Sequence, residues 1–392
     1  MNKLDKSVPV GILGAGTMGR GIAQVAATYG HAVTLFDTSS KALESATTNL
    51  SKILNRLVEK GRLEKSAAAG ILNRIHFTTQ IEDCRDSGLI IEAIIEDLPV
   101  KQEVFAMLES LVSQDSILAT NTSSLSIASI AAACKKPDRV LGIHFFNPAP
   151  LMPLVEIVPG IESSKTVVDT THALIDDWGK STVLAKDTPG FIVNRVARPF
   201  YGEALRILEE GIADVATIDW AMKDIGGFRM GPFELMDFIG NDINYKVTET
   251  VFEAFFYDPR YKPSFTQKRM VEARRLGRKS GRGYYNYAPD ARNPEPQKNQ
   301  DTGETIFFRI LAMLINEAVD AVFWNIASVE DIDLAMTKGV NYPRGLLKWA
   351  DEIGHENILN RLNALQEEYG EDRYRPSPLL KRMVRKKRLF YG

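Results

Sequence analysis

Short apolar runs and amphipathic stretches alternate through the first half of the chain. Residues 8–13 (VPVGIL), 32–36 (AVTLF), 88–94 (GLIIEAI), 116–121 (SILATN), 139–146 (RVLGIHFF) and 154–160 (LVEIVPG) each read as a strand. Between the earlier runs, apolar residues recur at helical spacing. One helix is predicted from a glycine-rich turn to about residue 29, and a longer one over about residues 40–60. Strands alternating with helices predict a mostly parallel, doubly wound α/β sheet of the Rossmann-like kind. From residue 187 the pattern changes to long helical stretches, which predicts an all-α second half.

The helical half repeats itself. "EALRILEEGIADVATIDWAM" (203–222) aligns without gaps on "EAVDAVFWNIASVEDIDLAM" (317–336), an offset of 114. Gly231, Asp237, Ile239 and Gly240 recur as Gly345, Asp351, Ile353 and Gly354. One residue is then lost, and "KRMVEARRL" (268–276) matches "KRMVRKKRL" (381–389). This is a duplicated domain rather than a solenoid. The predicted divisions are an α/β domain over 1–186, a first helical copy over 187–288, a linker over 289–300 and a second, degenerate copy over 301–392. The copies differ where they begin. "DTPGFIVNR" (187–195) becomes "DTGETIFFR" (301–309), so Phe308 stands in the place of Asn194. If Asn194 does polar work, the second copy has lost it. The second copy also lacks an α/β domain of its own, which predicts one active site per chain.

Composition narrows the class. The 392 residues are 44% hydrophobic and 25% charged, as in an ordinary soluble protein of two or three domains. A net charge of −2 and a pI near 6.3 speak against nucleic acid or an anionic membrane as partner. The basic tail "KRMVRKKRLFYG" matches an ordinary basic helix in the first copy, so it reads as the same element. Cys84 and Cys134 are the only cysteines, too few for a disulfide framework or a zinc cluster, and no metal is expected. No stretch approaches the roughly 18 apolar residues of a membrane span, and no signal peptide is evident. A cytoplasmic protein is the expectation.

The first strand leads into "GAGTMG". Gly14, Gly16 and Gly19 form G-x-G-x-x-G between a strand and a helix, and Asp37 closes the second strand. That context marks a dinucleotide-binding turn. Gly14 permits the tight turn, Gly16 lets the backbone approach a pyrophosphate, and Gly19 lets helix pack on strand. Thr17 and Met18 open the helix whose unpaired N–H groups would face the phosphates. Asp37 would bind the ribose hydroxyls and repel a 2′-phosphate, which favours NAD over NADP. Lys52, Arg56 and Lys60 share one face of the next helix. That stripe is either a solvated face or a contact for an anionic part of a substrate.

In doubly wound sheets, ligands bind beyond the carboxyl ends of the strands. "EAIIEDLPVK" brings Glu92, Glu96 and Lys101 there, and "ATNTSSLSI" brings Asn121, Thr122, Ser123 and Ser124. A third strand carries His144 and ends in "NPAP". Twelve residues after that histidine, Glu156 interrupts an apolar run, where a carboxylate is costly unless paired. If the two segments turn back on each other, Glu156 holds one nitrogen of His144 and the other works as a base. Two buried polar groups satisfying each other for structural reasons is the competing reading.

These motifs, with "DTPGFIVNR", "GPFELMDFIG" and "KSGRGYYNY", resemble the NAD-dependent L-3-hydroxyacyl-CoA dehydrogenases of the 3-hydroxybutyryl-CoA type. The likeness runs in order from residue 8 to about 287. It implies reversible oxidation of a (3S)-3-hydroxyacyl-CoA, with short-chain substrates, in fatty-acid or butanoate metabolism. It implies His144 as general acid/base with Glu156 orienting it, and Ser123 and Asn194 on the substrate's 3-oxygen. Glu96, Lys101 and Asn121 would lie near the cofactor. The chain departs from the short family members in its duplicated domain, which resembles that of the fatty-oxidation multienzymes without their hydratase part. Residues 301–392 would then stand in for a partner subunit's helical domain, giving a monomer with an intrachain pseudo-dimer. Three other readings compete. The β-hydroxyacid and 6-phosphogluconate enzymes need a lysine on the following helix, and none occurs between Lys186 and Lys223. A gulonate-type dehydrogenase would keep the His–Glu site for a free hydroxy acid. A non-catalytic, crystallin-like protein would have no use for all four site residues.

Overall fold

The apolar runs become strands of four to six residues, and those at the centre of the sheet are buried along their whole length. The structure, a computed structural model, describes residues 4–392. In chain order the first unit, up to Thr188, runs β1 (Val10–Leu13), α1 (Thr17–Thr28), β2 (Val33–Phe36), α2 (Ser40–Glu59), α3 (Lys65–Asn73), β3 (Ile75–Thr78), β4 (Leu89–Glu92), α4 (Leu98–Leu111), β5 (Ile117–Thr120), α5 (Ile127–Ala131), β6 (Val140–Phe145), β7 (Leu154–Pro159), α6 (Lys165–Asp177) and β8 (Ser181–Leu184). One eight-stranded sheet has the order β3-β2-β1-β4-β5-β6-β7-β8. It is parallel from β3 to β6, β7 turns back antiparallel on β6, and β8 runs parallel to β7. The antiparallel turn sets His144 directly opposite Glu156 in the register.

Two strands escaped the sequence reading, β3 and β8. Both are edges of the sheet. An edge strand shows one side to water, so His76 and Leu184 stand exposed and the continuous apolar run is absent.

The second unit, Pro189–Gly392, is all helix. It runs α7 (Val193–Val196), α8 (Arg198–Glu209), α9 (Val215–Trp220), α10 (Pro232–Ile239), α11 (Asn241–Ala254) and α12 (Phe265–Glu272), and then α13 (Gln300–Phe323), α14 (Val329–Gly339), α15 (Leu346–Ile353), α16 (His355–Tyr369) and α17 (Pro378–Lys386). Both copies pack together, α8 lying against α13. The recurring glycines have a physical cause. A Cβ on Gly231 would meet the Asp219 carboxyl carbon at 2.3 Å, and one on Gly345 would meet that of Asp333 at 2.3 Å. Each aspartate accepts two backbone N–H groups at the start of the next helix, Phe233 and Glu234 on Asp219, Leu347 and Lys348 on Asp333. Gly240 and Gly354 turn between consecutive helices at φ 106° and 91°, which disfavours any side chain.

Candidate active site

The glycine turn is shaped for close approach at one point only. Gly14 has φ 99°, and a Cβ there would lie 2.5 Å from the Ala93 carbonyl oxygen. A Cβ on Gly19 would lie 1.8 Å from the Gly14 carbonyl oxygen, so helix α1 sits against the turn as a side chain would forbid. Over Gly16 a Cβ meets nothing within 4 Å. The space a pyrophosphate needs is therefore open where the motif requires it, at the start of a 12-residue helix with no acidic residue in its first turn. Asp37, half-buried at the end of β2, accepts the Ala15 N–H at 2.7 Å and the Ser39 N–H at 2.9 Å. It braces the turn and keeps further lone pairs for a ribose.

Beyond β4 and β5 the polar residues knit into one network. Buried Lys101 donates to Glu92 at 2.6 Å and lies 3.4 Å from Glu96. Glu92 also accepts the Thr120 hydroxyl and the Ile94 N–H. Glu96 accepts the Thr122 hydroxyl at 2.5 Å, the Ser124 hydroxyl at 2.9 Å and the Ser123 N–H at 3.1 Å. Burial pushes the Glu96 carboxyl up, but the Thr122 bond, the Lys101 charge and the serine donors outweigh it and hold it below the usual carboxylate range. Lys101 thus points inward, onto Glu92 and Glu96. Asn121 accepts the Phe145 N–H at 2.8 Å and ties β5 to the strand bearing the histidine.

His144 is 6% exposed and Glu156 is fully buried. Nδ1 of His144 donates to Glu156 Oε2 at 2.7 Å, and the Phe146 ring lies 4.5 Å from the imidazole. This pairing fixes the tautomer and gives any proton transfer to Nε2. Two further groups are given no role in the sequence reading, Lys180 and Asp187, the latter opening the quoted DTPGFIVNR. Lys180 donates to the Ala149 and Met152 carbonyls at 2.6 and 2.9 Å, clamping the loop between β6 and β7, and burial pushes its ammonium down to about 8. Asp187 accepts the Ile127 and Ala128 N–H groups and the Ser126 hydroxyl at the start of α5.

Asn194 belongs to the helical unit, on α7. Lys52, Arg56 and Lys60 are exposed, the first two on α2 and the third at its cap. Among the described residues no group of three metal-ligating side chains gathers, and no helix is long and apolar enough to cross a membrane.

The profile of the 3-hydroxyacyl-CoA dehydrogenase NAD-binding domain matches residues 9–188, and that of the C-terminal domain matches residues 190–287 and 306–390. The 3-hydroxyadipyl-CoA dehydrogenase of Escherichia coli (strain K12) is 39% identical, with 95% of this chain and 96% of that protein covered. The 3-hydroxybutyryl-CoA dehydrogenase of Clostridioides difficile is 42% identical over 70% of this chain and 98% of its own. The crystal structure of 3-hydroxybutyryl-CoA dehydrogenase from Escherichia coli K12 superposes with a TM-score of 0.92 at 37% identity, covering 98% of this chain and 99% of that one.

Proposed function

Because the chain belongs to the 3-hydroxyacyl-CoA dehydrogenase family and is an NAD-dependent enzyme of that activity, we propose that His144 is its general acid/base. The observation that carries this is the buried 2.7 Å pair of His144 and Glu156 across β6 and β7. Nε2 of His144 takes the hydroxyl proton of a (3S)-3-hydroxyacyl-CoA, and Glu156 stabilises the imidazolium that forms. Bound NAD would supply the redox chemistry, as hydride acceptor for C3, that no side chain supplies. Ser123 and Asn194 hold the oxygen as it becomes carbonyl-like. Gly14, Gly16, Thr17, Met18, Gly19 and Asp37 seat the dinucleotide, with Glu96, Lys101 and Asn121 bracing its nicotinamide end.

The substrate is a short-chain acyl-CoA, its phosphates met by the exposed Lys52, Arg56 and Lys60. The chain works in the cytoplasm as a monomer, residues 301–392 replacing a partner's helical domain. A stable dimer joined through helical units in sedimentation would count against that state.

The direct test is NADH oxidation with acetoacetyl-CoA beside free acetoacetate. Turnover of the thioester alone supports the acyl-CoA reading. Turnover of neither, despite NADH binding, turns the reading toward a free sugar acid. His144→Gln lowers turnover about 10²–10⁴-fold while NADH still binds by fluorescence titration. Near-normal turnover in that variant removes His144 from the chemistry.

A further inference from the structure

The two helical copies line the same seam with opposite chemistry. In the first copy, between α8 and α11, the seam is filled by buried polar side chains. Arg198 donates to the Thr248 hydroxyl at 3.2 Å, and the Gln267 amide donates to Asn244 at 2.7 Å and to Thr248 at 3.1 Å. The repeat sets Ala312, Ile358, Leu362 and Leu380 at the positions of Arg198, Asn244, Thr248 and Gln267. An alanine in place of an arginine leaves room. Between α13 and α16 the second copy holds a cavity of about 480 Å³, wholly within the helical unit. Its size and apolar lining are those of a small-molecule site rather than of a packing defect.

The lining is ordered along one direction. Phe308, Leu311, Ala312 and Ile315 follow at i, i+3, i+4 and i+7 on α13. They form a strip about 10 Å long at the helical rise of about 1.5 Å per residue. One end carries a charge. Arg361, exposed on α16, holds its guanidinium over the Phe308 ring at 4.8 Å from the centroid. It makes no ion pair among the described residues, and no acid stands three or four positions from it on its own helix. The other polar residues of the wall, Asn357 and Asn360, are neutral, so the cavity presents a single positive charge. Val247 stands at the place of Arg361 in the first copy, so the free cation belongs to the copy that has the cavity.

An apolar strip with one cation at its end matches a linear amphiphile with one anionic end. The planar guanidinium fork suits a carboxylate, and the tail would lie along Leu311, Ala312 and Ile315. At about 1.5 Å per carbon–carbon bond, the strip takes roughly eight carbons. A thioester has no carboxylate to give. We propose that the second helical copy binds a free medium-chain fatty carboxylate between α13 and α16, with Arg361 on the head group. The site uses none of the residues assigned to catalysis.

Calorimetric titration of the full chain with octanoate tests this, with octanol as the neutral probe of equal length. One saturable site per chain is expected, about tenfold or more tighter for octanoate than for octanol. Arg361→Gln should weaken octanoate about tenfold or more while octanol binding stays within about twofold. Ala312→Phe, which fills the cavity, should abolish binding of both. Equal binding of the two probes by the wild type, or no saturable site, overturns the proposal. Octanoate binding that survives Ala312→Phe unchanged places the ligand elsewhere and overturns it too. Displacement of octanoate by lower concentrations of octanoyl-CoA overturns the free acid as occupant. Arg361 is exposed, so its variant and the wild-type ratio decide the matter even if Ala312→Phe folds poorly.

Discussion

The segment that opens the first helical copy is broken into α7 and α8, with Pro189-Gly190 before it and Pro199 at the break, whereas in the second copy the same segment is one 24-residue helix, α13. The pairing across the copies is shared. Arg195 of the first pairs with Glu317 of the second at 2.7 Å, and Arg309 of the second pairs with Glu203 of the first at 2.7 Å. Tyr261 donates to Glu317 and Tyr374 to Glu203, at 2.5 and 2.6 Å. This exchange, in which each copy supplies what the other receives, is the signature of an isologous two-fold interface, here within one chain. Devices shared by both copies therefore hold the frame. What only one copy has, the broken turn with Asn194, is where function is to be sought. In the second copy Phe308, Leu311, Ile315, Ile353 and Ile358 line a cavity of about 480 Å³, with Asn357, Asn360 and Arg361 also on its wall.

The frame should fail symmetrically. Glu317→Gln leaves Arg195 and Arg260 without their shared carboxylate, and Glu203→Gln does the same to Arg309 and Arg373. Breaking a buried pair costs about 3–5 kcal/mol. Arg260 keeps Asp320 and Arg309 keeps Glu210, so both variants should lose comparable stability in urea unfolding. A large loss in one and none in the other would mean that the two-fold pattern is geometric without being energetic.

Function should fail on one side only. Asn194→Ala is expected to lower kcat/KM about 10²–10³-fold, the range for removing one polar group from a reacting oxygen. Phe308→Ala, at the matching place in the second copy, should leave kcat within about twofold, since it removes packing and the stacking of Arg361 on its ring but no group that meets the substrate. Parallel losses in steady-state assays would undo the division between frame and function.

Much of this was legible in the chain, and the reasons for the gaps are physical. The glycine turn, the polar strand ends and the opposed His144 and Glu156 were readable because each breaks an otherwise apolar pattern. Edge strands β3 and β8 were not, because half-exposed strands carry no continuous apolar run. The repeat was legible to Leu389, where the alignment stopped. In space Phe390 and Tyr391 take the places of Tyr284 and Tyr285, giving their N–H groups to Asp351 as those two give theirs to Asp237. The second copy simply lacks residues 277–283, and a gap that long hides two aligned residues. Pairing across the copies was also invisible, since a repeat shows that each copy has its Arg and Glu but not which of them meet. Arg198 carried no signal, because an arginine beside a proline looks like surface until its burial is seen.

The smallest effect probes the latch that both copies keep. Tyr285 donates to Asp219 at 2.8 Å and Tyr391 to Asp333 at 3.0 Å, so Tyr285→Phe and Tyr391→Phe each remove one hydrogen bond, about 1 kcal/mol. The pH dependence tests the same bond. Burial pushes the Asp219 carboxyl up to about 7, against the pull of the Phe233 amide and the Tyr285 hydroxyl, and it pushes Asp333 upward as well. A folded-state pKa raised above the unfolded value means that the folded protein holds the proton more tightly. The contribution of Asp219 is therefore fully present below about pH 4 and is lost as pH rises through about 7. Tyr285→Phe takes away a group that favours the charged form, so the decline should continue to higher pH than in the wild type. Urea midpoints measured from pH 4 to 8 should show this extension for Tyr285→Phe. A pH profile parallel to the wild type's would mean that Tyr285 packs the latch without acting on its charge.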